Sequence, residues 1–372
     1  MALEQELEKL FFNFSDREYW FIRTFGGSFY DDFVRFGFIA IDNDGLRYQD
    51  IVNAKKNETK NNPSQKILGD LIKKRNPNAK FYQVHAKALI DFCYNIKKND
   101  LVFIPDDYGA LTFGIVQDKA INLDMKRDDQ VPYNFRRKIK WVERRRKREL
   151  DAKMWPLFNS QKTVNNASKY AEYINPSLNT LYKNGALSYL SLDVLTSNPI
   201  DARSFFTLGN DILDISEEIN KYFKINSDNK VDVKLELKSP GSIELIALGM
   251  FGLAALGLII IGLSGGKWKF NLKSKTFEFQ GDMETDGVID KLSDFMNDGT
   301  DRQGKLLEIQ NKLQQIQVTD KKGDISKALG QGQVTEPTEP YKLEPGKPDV
   351  LRIENKKGEE KEGDTNNAEK NK

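Results

Sequence analysis

The feature that most constrains the fold of this chain is an uninterrupted apolar run, Leu245–Leu263. Its 19 residues include no charged or hydrogen-bonding side chain, while the mean hydropathy of the whole chain is -0.60. As one helix the run would be about 28 Å long, close to the roughly 30 Å hydrocarbon thickness of a bilayer. Pro240 suits the first turn of such a helix, and Ser264-Gly265-Gly266 suits its end. The run therefore predicts a transmembrane helix and an inner-membrane protein with cytoplasmic domains.

Two other interpretations of the apolar run remain open. It could form a buried core helix of a cytoplasmic protein, or a short re-entrant hairpin. A core helix usually keeps a polar stripe, which this run lacks. However, Val231–Leu237 and Trp268–Leu272 alternate between apolar and polar residues, which predicts a strand on each side of the run. Two such strands can pair only if both lie on one side of a membrane, which favours the buried helix.

Small residues within the run predict close packing between helices. We expect Gly249, Gly252 and Gly257 to form that packing surface. A single apolar helix cannot line a pore, so any membrane activity would require a homo-oligomer.

The composition limits the kinds of function open to the chain. Its 372 residues suggest two or three domains, and 30% of them are charged. A net charge of +2 argues against a protein that binds polyanions over its whole surface. One cysteine, Cys93, and one histidine, His85, leave no basis for a disulfide framework or a His/Cys metal site. We predict no cofactor and no metal, and we expect His85, beside the apolar face of a helix over 80–96, to be structural.

The first half of the chain contains an ordered series of short motifs. Tyr19–Arg23 predicts a strand, and Gly26-Gly27 with Phe29–Phe33 predicts a turn into a helix. Matching motifs follow at 39–41, 98–102, 113–116 and 137–141. In this order they resemble the EVE/PUA-like domain at the N-termini of some Mrr-type restriction proteins, over residues 17–195. The resemblance implies a small β-barrel with helices that binds a modified base or nucleotide in an aromatic pocket.

The resemblance also suggests which residues bind the ligand. The family usually has Gly-Trp after its Ile-Ala-Ile strand, whereas Asp42-Asn43 stand here, so the ring that stacks on a base must come from elsewhere. For the tryptophans, the alternative role is a place in the barrel core. The candidate ligand-binding residues are Trp20, Arg23, Phe29, Tyr30, Asp42, Asn43 and Trp141.

A strongly basic run, Arg136–Arg148, holds nine basic residues in thirteen. Such a run either contacts phosphate or anionic lipid, or forms a solvated face. The candidate phosphate or anionic-lipid contacts are Arg136, Arg137, Lys138, Arg144, Arg145 and Arg146.

These patterns together predict an α+β protein with five parts. We expect an N-terminal amphipathic helix at 1–14, the EVE/PUA-like domain at 15–196 and an α+β unit containing the apolar helix at 199–300. A short heptad helix follows at 301–320, with Leu306, Ile309, Leu313 and Ile316 on one face. The composition of residues 321–372 predicts a disordered tail.

The leading functional hypothesis is a non-enzymatic sensor and effector of a prokaryotic antiphage or restriction-like defence system. The N-terminal domain would bind a nucleotide or nucleic acid, and the apolar helix would oligomerise in or permeabilise the membrane, with other proteins of the same system as partners. The first alternative is a homo-oligomeric nucleic-acid-binding or scaffold protein with the apolar helix in the oligomer core. The second is an Mrr-like nuclease that uses Glu236 and Lys238, with Asp211 or Asp214 upstream.

Overall fold

The computed structural model describes residues 7–118, 121, 129–196, 198–225, 231–235, 241–279 and 287–321, which form a mixed α+β structure. The strands are β1 (Phe12–Asn13), β2 (Tyr19–Ile22), β3 (Phe38–Ile41), β4 (Leu101–Pro105), β5 (Ala110–Val116), β6 (Phe135–Arg146), β7 (Val164–Asn166), β8 (Leu181–Asn184), β9 (Leu187–Val194), β10 (Val231–Leu235), β11 (Gly241–Ala247), β12 (Trp268–Asn271), β13 (Thr276–Phe279) and β14 (Val318–Asp320). The helices are α1 (Tyr30–Phe36), α2 (Tyr48–Lys56), α3 (Ser64–Arg75), α4 (Tyr82–Ile90), α5 (Ala171–Leu178), α6 (Ala202–Tyr222), α7 (Met250–Ser264), α8 (Val288–Asn297) and α9 (Thr300–Ile316).

A first six-stranded sheet lies in the N-terminal half of the chain, with the strand order β3-β6-β5-β4-β2-β7. Strands β2 and β4 are parallel, and the other neighbours are antiparallel. Side chains of α1 to α4 join the apolar core on one face, and side chains of α5 join the core on the other. Among the residues that the structure describes, no pairing joins the edge strands β3 and β7, so this is an open sheet rather than the closed barrel that we expected.

A second sheet contains the strands that surround the apolar run. Its order is β1-β8-β9-β11-β10, and β14 also pairs with β9. Strand β8 pairs with the first half of β9 and β14 with the last residues of β9. The start of β8 and the end of β14 are joined by a hydrogen bond, in which the Lys321 N–H donates to Thr180 Oγ1 at 2.6 Å. This sheet therefore combines strands before residue 200 (β1, β8 and β9) with strands after it (β10, β11 and β14).

The apolar run is divided between two kinds of secondary structure. Leu245–Ala247 ends strand β11, and the helix α7 starts only at Met250. Strand β11 pairs along its whole length with β9 on one side and along most of it with β10 on the other, which accounts for its apolar character. The turn at Leu248-Gly249 is itself apolar, so composition alone does not mark the boundary.

Helix α7 is the centre of the C-terminal core. Every residue from Gly252 to Leu263 is buried. The helix packs against α6, α9 and the second sheet, and the side chains around it form one apolar cluster. A helix that is apolar on all sides needs cover on all sides, and here the chain itself supplies the cover.

The prediction of a transmembrane helix is wrong, and so is the inner-membrane placement that followed from it. Helix α7 has 15 residues, which corresponds to about 22 Å, short of the roughly 30 Å of a hydrocarbon core. Within the described parts of the chain, no helix combines the length and the apolar character needed to cross a membrane. Burial within a single chain also removes the reason for placing this helix in the core of an oligomer.

Glycines of the run lie at close contacts within this chain. Gly249 precedes α7 as its N-cap, and Gly257 is buried within the helix. A Cβ at Gly252 would lie 2.6 Å from Oδ1 of Asn220 in α6. A Cβ at Gly262 would overlap the indole ring of Trp268. The small residues therefore let α6 and the β12–β13 hairpin approach α7 within the same chain.

Two other predicted parts of the chain also meet this core. The heptad residues Leu306, Ile309, Leu313 and Ile316 are buried on α9, in contact with the cluster around α7. Leu7 is buried in the same cluster, and Leu10 and Phe11 pack against it. The predicted tail beyond Lys321, Leu3 of the N-terminal helix, and the proposed nuclease residues Glu236 and Lys238 lie outside the described residues.

Candidate ligand-binding site

Three aromatic rings meet at the surface of the N-terminal half. The ring centroids of Phe25 and Phe29 are 5.3 Å apart, those of Phe25 and Tyr133 5.0 Å, and those of Phe29 and Tyr133 5.5 Å. All three residues are half-buried. We call these residues the aromatic cluster. Edge-to-face contacts hold such rings in fixed orientations and leave part of each ring open to a ligand.

The loop that carries Phe25 has an unusual backbone. Phe25, Gly26 and Gly27 have consecutive φ angles of 56°, 69° and 86°. Such a conformation is costly for phenylalanine and easy for glycine. A Cβ at Gly27 would also overlap the carboxylate of the exposed Asp107, which would then have to move. Strained backbone of this kind is concentrated at functional sites.

Thr24 ties the loop to the C-terminal end of β4. Its Oγ1 donates to Pro105 O at 2.9 Å and accepts from Gly27 N at 3.2 Å. Phe29 N in turn donates to Thr24 O at 3.2 Å. These bonds fix the two phenylalanines of the aromatic cluster relative to the first sheet.

Tyr133 is positioned by a buried arginine. Arg136 donates through Nε to Tyr133 O at 2.9 Å and through Nη2 to Val131 O at 2.9 Å. Its guanidinium also forms a two-point ion pair with Asp129, at 2.6 and 2.9 Å. Because Arg136 is only 1% exposed, its role is to hold residues 129–133 and not to contact a phosphate.

Two carboxylates act electrostatically on the aromatic cluster. Burial raises the pKa of Tyr133 above its ordinary value, and the negative charges of Asp42 and Asp44 raise it further. Asp44 has a φ of 49°, and its carboxylate lies 3.1 Å from Nδ1 of His85. The His85 side chain is 46% exposed, so this histidine lies on the surface near the site rather than beside the core. The site therefore combines aromatic rings with acceptors of hydrogen bonds.

The remaining residues expected to bind the ligand have other contacts. Asp42 Oδ1 accepts from Asp44 N at 2.9 Å, and Asn43 Nδ2 donates to Leu46 O at 2.7 Å, so both shape the loop after β3. The Tyr30 hydroxyl lies 2.6 Å from Thr112 Oγ1. Arg23 donates to Gln161 Oε1 at 3.1 Å, on the side of β7.

Both candidate tryptophans are part of the apolar interior. Trp20 is 3% exposed, and its Nε1 donates to Asp100 Oδ2 at 2.9 Å. Trp141 is 7% exposed, and its Nε1 donates to Phe33 O at 2.8 Å. Neither ring offers a face on which a base could stack, which leaves Phe29 as the residue shared by the prediction and the aromatic cluster.

Sequence reasoning did not identify Phe25 or Tyr133. A signal for Phe25 was present, since it precedes two glycines that permit a left-handed turn. Tyr133 carried no such signal, because its partners are far away in the sequence.

The basic run is divided between the interior and the surface. Arg137 is 1% exposed and donates to the carbonyls of Phe92 at 2.8 Å and Cys93 at 3.1 Å. These carbonyls belong to a π-helical turn, Asp91–Asn95, at the end of α4. A π-turn displaces backbone hydrogen bonds, and the guanidinium supplies donors there. Burial lowers the pKa of Arg137 below its ordinary value.

The end of the basic run is more accessible. Arg144 pairs with Asp106, and the side chain of Arg145 is 18% exposed, with Glu143 3.8 Å from its Nε. Lys138, Arg146, Lys147 and Arg148 are exposed. Any phosphate contact within this run therefore belongs to its exposed residues.

The two aspartates proposed for a nuclease site form ion pairs between helices. Asp211 pairs with Lys312 at 2.6 Å and Asp214 with Lys305 at 3.4 Å, both from helix α6 to helix α9. In the described part of the chain, no group of three or more His, Cys, Asp or Glu residues is placed to hold a metal ion.

Comparison with known proteins yields no relative: no family model, no curated protein and no solved structure matches this chain.

Proposed function

We propose that this protein binds a nucleotide or nucleic acid, without catalysis, and that the base lies against the aromatic cluster of Phe25, Phe29 and Tyr133. The resemblance to EVE/PUA-like domains supports the same ligand class and a setting in a prokaryotic defence system. The observation that carries the proposal is the meeting of three half-buried rings, one of which, Phe25, lies on a strained loop. Flat aromatic faces bind bases of any sequence by stacking.

The carboxylates suggest which bases bind best. The negative charges of Asp42 and Asp44 act on Tyr133, and a carboxylate accepts hydrogen bonds from amino groups on a base edge. Bases with an exocyclic amino group, namely adenine, guanine and cytosine, should therefore bind more tightly than uracil.

Isothermal titration of the intact chain with AMP, GMP, CMP and UMP tests the proposal. Tyr133→Leu and Phe25→Leu remove a flat ring but keep an apolar side chain. Stacking on an aromatic ring contributes about 1–3 kcal/mol per base, so each change should weaken binding by roughly five- to 150-fold. Asp44→Asn should reduce the preference for amino-bearing bases over UMP.

Phe206→Leu provides the matched control, because Phe206 is an exposed phenylalanine, 54% accessible, on helix α6 in the C-terminal half. Its nucleotide affinity should equal that of the wild type. The proposal fails if no nucleotide binds at millimolar concentration, or if the two ring variants bind as tightly as the Phe206 control.

A further inference from the structure

We infer that a second face of the N-terminal half binds single-stranded nucleic acid. It is formed by Lys147, Lys153, Trp155, Lys169, Tyr170 and Tyr173, and we call it the lysine–aromatic surface. The inference rests on the proposed function for its ligand class and narrows that class to a polymer. It uses none of the residues of the aromatic cluster.

The three lysines share one arrangement. Lys147 Nζ lies 4.9 Å from the ring centroid of Trp155, Lys153 Nζ 4.6 Å from that of Tyr173, and Lys169 Nζ 4.9 Å from that of Tyr170. All three lysines are exposed. Trp155 is 44% exposed despite its lysine, so much of its surface remains open.

The contacts form one continuous surface. Lys153 and Trp155 lie on the same 3-10 segment, Ala152–Asn159. Lys153 Nζ donates to the hydroxyl of Tyr173 at 3.1 Å, and Tyr173 lies one helical turn after Tyr170. Three lysine–ring pairs therefore lie between the end of β6 and the start of α5.

The surface is rigidly supported from below. Met154 and Leu157 of the 3-10 segment are 0% and 5% exposed and belong to the core under the first sheet. The Lys147 N–H donates to Gly109 O at 2.8 Å, which ties the backbone of Lys147 to the β4–β5 turn. A rigid platform loses little conformational entropy when it binds a flexible strand.

Two of the acidic side chains near this surface bond to the backbone, while a third, Glu172, is exposed and acts electrostatically on Lys153. Glu149 Oε2 accepts from Arg146 N at 2.9 Å, and Asp151 Oδ1 accepts from Lys153 N at 2.7 Å. These two carboxylates therefore act as caps, while the three ammonium groups lie against aromatic rings. Such neighbouring cations and rings suit a strand whose phosphates meet lysines and whose unpaired bases reach the rings. In a duplex the base faces are stacked and unavailable.

The test uses fluorescence anisotropy of a labelled 12-nucleotide single strand, as DNA and as RNA, with the intact chain at several salt concentrations. Lys147→Gln/Lys153→Gln/Lys169→Gln should flatten the plot of log affinity against log salt by about two units, since each phosphate contact on a single strand contributes about 0.7. Trp155→Ala should weaken binding by roughly five- to 150-fold.

A triple variant elsewhere controls for the loss of charge. Lys60→Gln/Lys73→Gln/Lys74→Gln removes three exposed lysines from the region of α2 and α3, and its affinity should change less than twofold. Circular dichroism checks the folding of every variant. The inference is overturned if both triple variants bind the oligonucleotide equally, if a duplex binds more tightly than the single strand, or if phosphatidylglycerol vesicles bind and the oligonucleotide does not.

The two proposals can fail separately. Should AMP bind at the aromatic cluster while the oligonucleotide binds no more tightly than AMP, this inference fails and the proposed function stands. Should the oligonucleotide depend on the three lysines while Tyr133→Leu changes nothing, the assignment of the aromatic cluster fails and this inference stands.

Discussion

Strand β6 and helix α7 carry the most basic and the most apolar stretches of the chain, yet they depend on their surroundings in different ways. Helix α7 needs only apolar contacts, which α6, α9 and the second sheet provide on every side. Arg136 and Arg137 in β6 need particular acceptor atoms on other segments. An apolar interior accepts any side chain of suitable volume, whereas a buried guanidinium accepts only a geometry that satisfies its donors.

The largest effect should come from breaking the ion pair of β6. Arg136→Met leaves the Asp129 carboxylate, whose side chain is 1% exposed, without its partner. Removing one member of a buried pair costs about 3–5 kcal/mol of the free energy of unfolding. Urea titration followed by tryptophan fluorescence measures the loss. Arg146→Met, at an exposed site of the same strand, should cost less than about 0.5 kcal/mol.

A double variant sharpens this prediction. Arg136→Met with Asp129→Leu removes both charges, so it should recover much of the stability lost in Arg136→Met. Equal destabilisation of the single and double variants would show that the two charges do not act as a pair.

For helix α7, the free energy of unfolding should depend on the volume of a substituted side chain and not on its chemical type. Leu258 is 0% exposed, so Leu258→Ala should cost about 2–5 kcal/mol through the cavity it leaves. Leu258→Met keeps the volume and should cost less than about 1.5 kcal/mol. Arg136→Lys, by contrast, keeps the charge and loses the two-point geometry, so it should be the more damaging of the two conservative changes. The same urea titration compares them, and the opposite order would contradict the comparison.

Glycine substitutions separate close packing from helix propensity. Gly262→Ala would place a Cβ against the Trp268 ring, so we expect a loss of about 1–3 kcal/mol by overpacking. Gly209 in α6 has no atom within 4 Å of its Cβ position. Gly209→Ala should therefore stabilise the protein by up to about 1 kcal/mol. Thermal unfolding measures both, and a stabilising Gly262→Ala would disprove the contact with Trp268.

The smallest expected effect is the difference in how acid lowers the free energy of unfolding of the wild type and of Asp129→Asn. Burial alone would raise the pKa of Asp129, but the hydrogen bonds from Arg136 and Val131 N hold it below its ordinary value. Since the folded-state pKa is the lower one, this carboxylate stabilises the protein above the unfolded pKa of about 3.9. That stability is lost as the pH falls through the folded-state pKa. Urea titrations at pH 5, 4 and 3 should show a steeper decline for the wild type than for Asp129→Asn, and parallel declines would refute this.

Much of the local structure could be predicted from sequence, because it depends on local patterns. The strand at Tyr19–Ile22, the strand at Trp268–Asn271 and the heptad helix, observed as α9, all lie near their predicted positions. The apolar run was misinterpreted because strand β11, its turn and helix α7 share one composition. Only pairing with β9, set by the tertiary fold, shows that the run is not one helix.

The candidate site was harder to predict, since its parts are distant in the sequence. Phe25 and Tyr133 meet only because Arg136 holds residues 129–133 and Thr24 holds the preceding loop. The direction in which an arginine of β6 points likewise depends on acceptors such as Phe92 O, 45 residues away. Sequence composition shows neither which distant segments meet nor which arginines find buried acceptors.

Hydrogen–deuterium exchange of the intact chain in detergent-free buffer tests most directly whether helix α7 and the first part of strand β6 are buried within the protein. Buried amides in stable elements exchange only through global unfolding. We predict that peptides covering α7 and the buried part of β6 belong to the slowest class, together with β9 and β11, and that phospholipid vesicles do not slow them further. Rapid exchange of α7 in buffer, slowed when vesicles are added, would contradict the account.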